Sequence, residues 1–145
     1  MAYITNADIE ERLGSATYLQ LADDDGDDVA DVGVVDEARL GADGEVSSYL
    51  GRRFQLPIDL AVHTDLVAVL ASITLDLAEY RLRLRRPPVS EAAVDRHRRA
   101  LDWLGGVAAG KIALPAALPV ARSDGTVAET FGSQRTLSRE ELSDF

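Results

Sequence analysis

The sequence contains no cysteine. Disulfides, thiolate zinc sites, iron–sulfur clusters and a cysteine nucleophile are therefore excluded. Histidine occurs only at His63 and His97, and lysine only at Lys111, which leaves little with which to build a histidine metal site or histidine acid–base chemistry. No apolar run approaches the roughly 18–20 residues a spanning helix needs, and the opening MAYITNADIEERLG lacks the basic start and apolar stretch of a signal peptide. The expectation is a chain with no membrane contact, made and used in the cytoplasm. The dinucleotide fingerprint, the P-loop and the Gly-x-Ser-x-Gly elbow are also missing. No catalytic residue, metal or cofactor is expected.

What is present fits one soluble domain. The chain has 145 residues, 46% of them hydrophobic and 28% charged, enough to bury a core without staples. Its net charge of −10 argues against the chain as a whole being a nucleic-acid binder. That charge is unevenly spread. Residues 1–63 carry fourteen acidic and four basic side chains, whereas residues 64–145 carry eleven of each.

Along the chain, Ile4-Thr5-Asn6-Ala7-Asp8-Ile9 reads as a helix start with capping-box spacing, Ile4 lying where it can staple against Ile9. Gly14 stops that helix, and an apolar patch of Tyr18, Leu19 and Leu21 leads into Asp23, Asp24, Asp25, Gly26, Asp27 and Asp28. Five carboxylates in six residues repel one another and predict a solvated loop. A calcium loop would place a carboxylate five residues before its glycine and a glutamate six after; counted from Gly26 these positions are Leu21 and Val32, so the pattern fails. From Val34 to Phe54 the positions Val35, Ala38, Ala42, Val46, Tyr49 and Leu50 follow helical spacing, weakened by Gly41 and Gly44 and open to a break there.

The strongest helix begins at His63-Thr64-Asp65. Its stripe of Leu66, Leu70, Ile73, Leu77, Tyr80 and Leu84 is greasy nearly all round in the first turns, which suits the centre of a bundle or a subunit interface. Pro87-Pro88 ends it and Ser90 caps the next, whose inward stripe is Val94, His97, Leu101, Leu104 and Ala108. On that stripe His97 reads as a hydrogen-bonded core residue. The short connection implies an antiparallel hairpin.

At the hairpin tip Arg81, Arg83, Arg85, Arg86, Arg96, Arg98 and Arg99 converge, predicting a positively charged end on an acidic protein. Three readings of it stand: solvated surface, docking on a carboxylate-rich patch such as Asp23 to Asp31 of a neighbouring copy, and contact with DNA phosphates. After Leu114 the chain reads as an extended arm, residues 115–145, with a strand-like Thr126 to Phe131 and a last helical turn near Ser138 to Leu142. The expected fold is thus mainly α: a small helical bundle over residues 1–114, built on a long antiparallel hairpin and followed by that C-terminal arm.

Several pieces, in order, resemble one family. They are Tyr3-Ile4-Thr5 with Asp8-Ile9 and Leu13-Gly14, then Glu45 to Phe54 followed by Leu56-Pro57, and Asp76-Leu77-Ala78-Glu79-Tyr80. Ala100 to Leu104, Ala109 to Leu114 and Arg135 to Leu142 complete the series. Together they resemble the Mu-like phage family of small head–tail joining proteins. The acidic loop and the arginine tip match no piece of it. The resemblance implies a non-enzymatic virion protein, a head-completion adaptor binding below the portal as a ring of twelve copies and joining head to tail. Its partners would be the portal, a tail, stopper or terminator protein, and copies of itself. Tail completion and a DNA-contacting packaging accessory are the alternatives. The candidate contact residues are the seven tip arginines, the loop aspartates Asp23, Asp24, Asp25, Asp27 and Asp28, and Phe131, Arg135, Leu137 and Phe145 of the arm.

Overall fold

A computed structural model describes residues 2–116 and 118–120 as five helices: α1 (Asn6–Leu13), α2 (Ser15–Ala22), α3 (Val32–Leu50), α4 (Thr64–Leu84) and α5 (Glu91–Ala108). The mainly helical fold read from the sequence is the one found. Among the described residues the only β pairing is a single antiparallel bridge between Phe54 and Val120. The expected strand at Thr126–Phe131, the last turn at Ser138–Leu142 and the arm contacts Phe131, Arg135, Leu137 and Phe145 lie outside the described residues.

The helix signals act locally as their chemistry requires. Thr5 caps the amide of Asp8 while the Asp8 carboxylate reaches back to the Thr5 amide, so two otherwise orphaned donors are satisfied at the start of α1. Gly14, at φ +79°, ends α1 and lets α2 begin at once. The patch at Tyr18 to Leu21 is therefore a second short helix rather than an irregular lead into the loop. Ser90 accepts from the Ala93 amide at the start of α5. The third helix is continuous through Gly41 and Gly44 and ends at Leu50, four residues before Phe54. At Gly41 an added Cβ would stand 2.9 Å from a guanidinium nitrogen of Arg81, so the glycine admits a close crossing of α4.

Helix α4 packs against all four other helices and is the axis of the fold. Leu66, Leu70, Leu77 and Leu82 are fully buried along it, facing Ile9, Val35, Val46, Leu50 and Leu104 of the same core. Thr74 is also fully buried; its hydroxyl donates to the Leu70 carbonyl, 2.7 Å away, which removes the cost of burying a lone donor. The stripe read from the sequence drifts at its end. Leu84 is 52% exposed while Leu82 is buried, so the face of α4 that meets the core runs through Leu66, Leu70, Thr74, Ala78 and Leu82. Helix α5 is rotated in the same way. Ala93, Ala100, Leu104 and Val107 face the core, and Val94 is exposed; the small alanines turned toward the bundle allow α5 to lie close. Tyr80 opposes His97 and Glu79 opposes Arg96, so α4 and α5 form the expected antiparallel hairpin.

The first residues of the expected arm belong to this globule. Leu114, Ala116 and Leu118 pack against the core, and the Gln55 amide donates to the Pro119 carbonyl at 2.8 Å.

Candidate interaction surface

The hairpin tip holds most of the residues singled out by the sequence, and it brings arginines and aspartates of one chain together. Arg85 donates to the Leu21 carbonyl at 2.7 Å and pairs with Asp24; Arg86 donates to the Asp23 carbonyl at 2.9 Å and also reaches Asp24. The acidic loop thereby hangs from the end of α4. It is closed on itself as well, with the Asp31 amide donating to the Ala22 carbonyl and the Asp24 amide to the Asp31 carboxylate. Asp23 accepts the amides of Gly26 and Asp28, which lowers its pKa from the ordinary carboxylate value. Asp25 accepts the Asp27 amide, which favours its ionised form, but desolvation and its contacts with the Asp23 and Asp27 carboxyls outweigh that and raise its pKa. One carboxylate oxygen from each of Asp23, Asp25 and Asp27 lies within 4.8 Å of the others.

The other tip arginines are also paired. Arg81 meets Glu45 at 2.9 Å, Arg83 meets Glu79 at 2.7 Å, Arg96 meets Glu79 at 2.8 Å and Arg98 meets Asp95 at 2.7 Å. Of the seven, only Arg99 has no carboxylate partner among the described residues. The positively charged end expected from the sequence is therefore not formed. Six carboxylates between Asp23 and Asp31 face two guanidiniums, and the tip is acidic. Sequence spacing could not reveal this, since the loop meets the hairpin about sixty residues away.

A second cluster joins α1, α4 and α5. Glu79 is almost wholly buried and is gripped by Arg83 and Arg96, with Arg12 at 3.6 Å; Arg12 also pairs with the neighbouring Asp76. Burial raises the pKa of Asp76, against the lowering pull of Arg12 and Arg96. A third network clamps the N-terminal segment to α3. The Tyr3 amide donates to buried Asp43 at 3.0 Å, and Asn6 bridges Asp36 and Arg39. Desolvation raises the pKa of Asp43, although the Tyr3 amide and Arg39 oppose it. These contacts tie α1, α4 and α5 to one another and the N-terminal segment to α3, while Oδ2 of Asp43 and Oε2 of Glu79 are buried without a hydrogen-bond donor.

His97 differs from its expected role. Its ring stacks on Tyr80 with centroids 3.8 Å apart and planes 19° from parallel, and the ring is half-buried without a hydrogen-bond partner. Desolvation lowers its pKa below the ordinary histidine value, with Arg81 adding to the effect and Glu45 opposing it. Between the lowered folded value and the ordinary 6.5 the unfolded chain binds more protons than the folded one. Stability is therefore expected to be full above about pH 6.5 and to decline as pH falls below it. In His97→Phe that part of the decline should vanish from thermal melts taken between pH 5 and 7.5; an unchanged pH profile would contradict the assignment.

One group of residues escaped the sequence reading. Arg52, Arg53 and Lys111 are exposed, and none has a carboxylate partner among the described residues. Arg52 lies over the Tyr49 ring at 5.3 Å and Arg53 over Phe54 at 5.8 Å. The Arg53 guanidinium lies against Gly110, where an added Cβ would stand 1.8 Å from its nitrogen, and the φ of +76° at this position favours glycine. The signal in the sequence was faint: two adjacent arginines with no acidic residue nearer than Glu45 or Asp59.

No helix among the described residues is long and apolar enough to cross a membrane. A search of curated proteins finds no match. The sequence model of the phage family Bacteriophage Mu, Gp36 matches residues 3–129. That match spans most of the chain, including all five helices of the bundle, and the chain belongs to the Bacteriophage Mu, Gp36 family.

Proposed function

We propose that the protein is a structural, non-catalytic head–tail connector of a phage or phage-derived particle, bound below the portal as a ring. What supports this reading, beside membership of a Mu phage family, is an apolar end on an otherwise charged bundle. Leu56, Val62, Val67 and Val120 are exposed, and Leu56 also lines a cavity of about 450 Å³ with Pro57, Ile58, Leu118 and Pro119 beside the polar Gln55, Asp59 and His63. The chain continues from this end. An exposed apolar end where a further 25 residues (121–145) begin suits contact with another protein. The alternative of DNA contact through the arginine tip loses its main support, because six of its seven guanidiniums are already paired.

Full-length protein mixed with rings of the portal encoded beside it is expected to add a second ring visible by electron microscopy. A chain ending at Val120, which keeps the Pro119 contact to Gln55, should bind at least tenfold more weakly. Equal binding by that chain would remove the role given to residues 121–145. No binding by the full chain would remove the connector reading itself.

A further inference from the structure

The two charged regions left uncompensated within one copy lie at opposite ends of α3. The acidic loop, Asp23 to Asp31, precedes its first turn, and Arg52 and Arg53 follow its last. Nineteen helical residues at 1.5 Å each separate them by about 28 Å. Neither region can satisfy the other in the same molecule. At one pole only Asp24 of six carboxylates is ion-paired, with Arg85 and Arg86. At the other, Arg52, Arg53 and Lys111 are exposed without a carboxylate partner among the described residues, and the Arg53 guanidinium lies against Gly110, next to Lys111.

From this we infer that the acidic loop of one copy docks on the Arg52, Arg53 and Lys111 patch of a second copy. Both surfaces are pre-organised. The loop is held by its own amide-to-carboxylate bonds and by the α4 arginines, and Arg52 and Arg53 lie over the Tyr49 and Phe54 rings, so less side-chain freedom is lost on contact. The carboxylates of Asp25, Asp27 and Asp28 accept loop amides at most and are ion-paired with no cation among the described residues, so they supply at least as many acceptors as the patch has cations. Two different surfaces make the contact, so it is head-to-tail and repeats from copy to copy until it closes or extends. A phosphate backbone would also be drawn to three cations. Acidic loop is favoured as the occupant because the copy that carries the patch also carries its complement, whereas three cations on a chain of net charge −10 give a weak field for DNA.

This deepens the ring reading by naming which surfaces of adjacent subunits meet, and the test separates the two. Lys111 is the only lysine, so a carbodiimide, which joins an amine to a carboxylate in direct contact, can couple only it and the N-terminal amine, and the cross-linked peptide tells the two apart. Full-length protein mixed from ordinary and ¹⁵N-labelled batches should give a mixed-isotope product linking Lys111 to the peptide carrying Asp23 to Asp31. Its yield should fall at least tenfold in 1 M salt, where charges are screened beyond about 3 Å. It should fall equally in Arg52→Glu/Arg53→Glu and in Asp25→Asn/Asp27→Asn/Asp28→Asn. The asparagines keep the loop's acceptors and tolerate the positive φ at Asp28, so unchanged thermal melting of that triple variant shows that the fold survives.

Coupling of Lys111 only to carboxylates outside the loop, or no intermolecular product, overturns the proposal. So does binding of a labelled DNA duplex that Arg52→Glu/Arg53→Glu abolishes while the loop variant leaves coupling unchanged. A portal-bound ring without the Lys111–loop product sinks this contact and spares the ring. The product in a species that stops at the dimer does the reverse.

Discussion

Replacing Glu79 with alanine is expected to destabilise the protein by about 3 kcal/mol, the low end of the range for breaking a buried ion pair. Glu79 is nearly sealed from solvent and is the common acceptor of Arg83 and Arg96, with Arg12 beside it. Its removal leaves three guanidiniums from three helices facing Asp76 alone. The arginines are 29–34% exposed and recover some hydration, which is why the loss sits at the low end. Urea unfolding followed by circular dichroism measures it. A loss below about 1 kcal/mol, the level of an exposed pair, would show that the cluster is not desolvated. Replacing the cluster with apolar residues of matching volume should recover most of the loss, because the attraction among the charges largely offsets the cost of burying them.

The second large effect lies on the central helix. Leu77→Ala should cost about 2–5 kcal/mol, through lost burial and the cavity left behind, whereas Leu84→Ala should lie within about 0.5 kcal/mol of the parent. Periodicity places both leucines on one stripe; burial separates them, with Leu77 fully enclosed and Leu84 half in solvent. Parallel denaturant titrations decide the matter. Equal losses at the two positions would mean that another molecule or segment covers Leu84.

These two cases mark what was legible. The α4–α5 hairpin, the Thr5 and Ser90 caps and the stop after Leu13 follow from short-range chemistry, since hydroxyl, carboxylate and glycine act on amides within a turn of themselves. Helix α2 was missed because eight residues without a side-chain cap carry too little periodicity to stand out from an apolar patch. The buried faces of α4 and α5 were read one step out of place where partners change along the helix, for a stripe records which side is apolar and not where the neighbours end.

The sequence by itself determined a mainly helical fold with an acidic first half and a neutral second half, and it left α4 at either the centre of the bundle or a subunit interface. Only the tertiary structure decided where the charge is uncompensated. An ion pair needs proximity in space, and the arginines of the hairpin find their carboxylates about sixty residues away in the loop, in α3 and on the hairpin itself. Folding thus spends the arginine-rich segment inside the molecule. Among the described residues it leaves Arg99 without a carboxylate partner, and with it Arg52, Arg53 and Lys111, the cations that the sequence made least conspicuous, at the end of α3 farthest from the acidic loop.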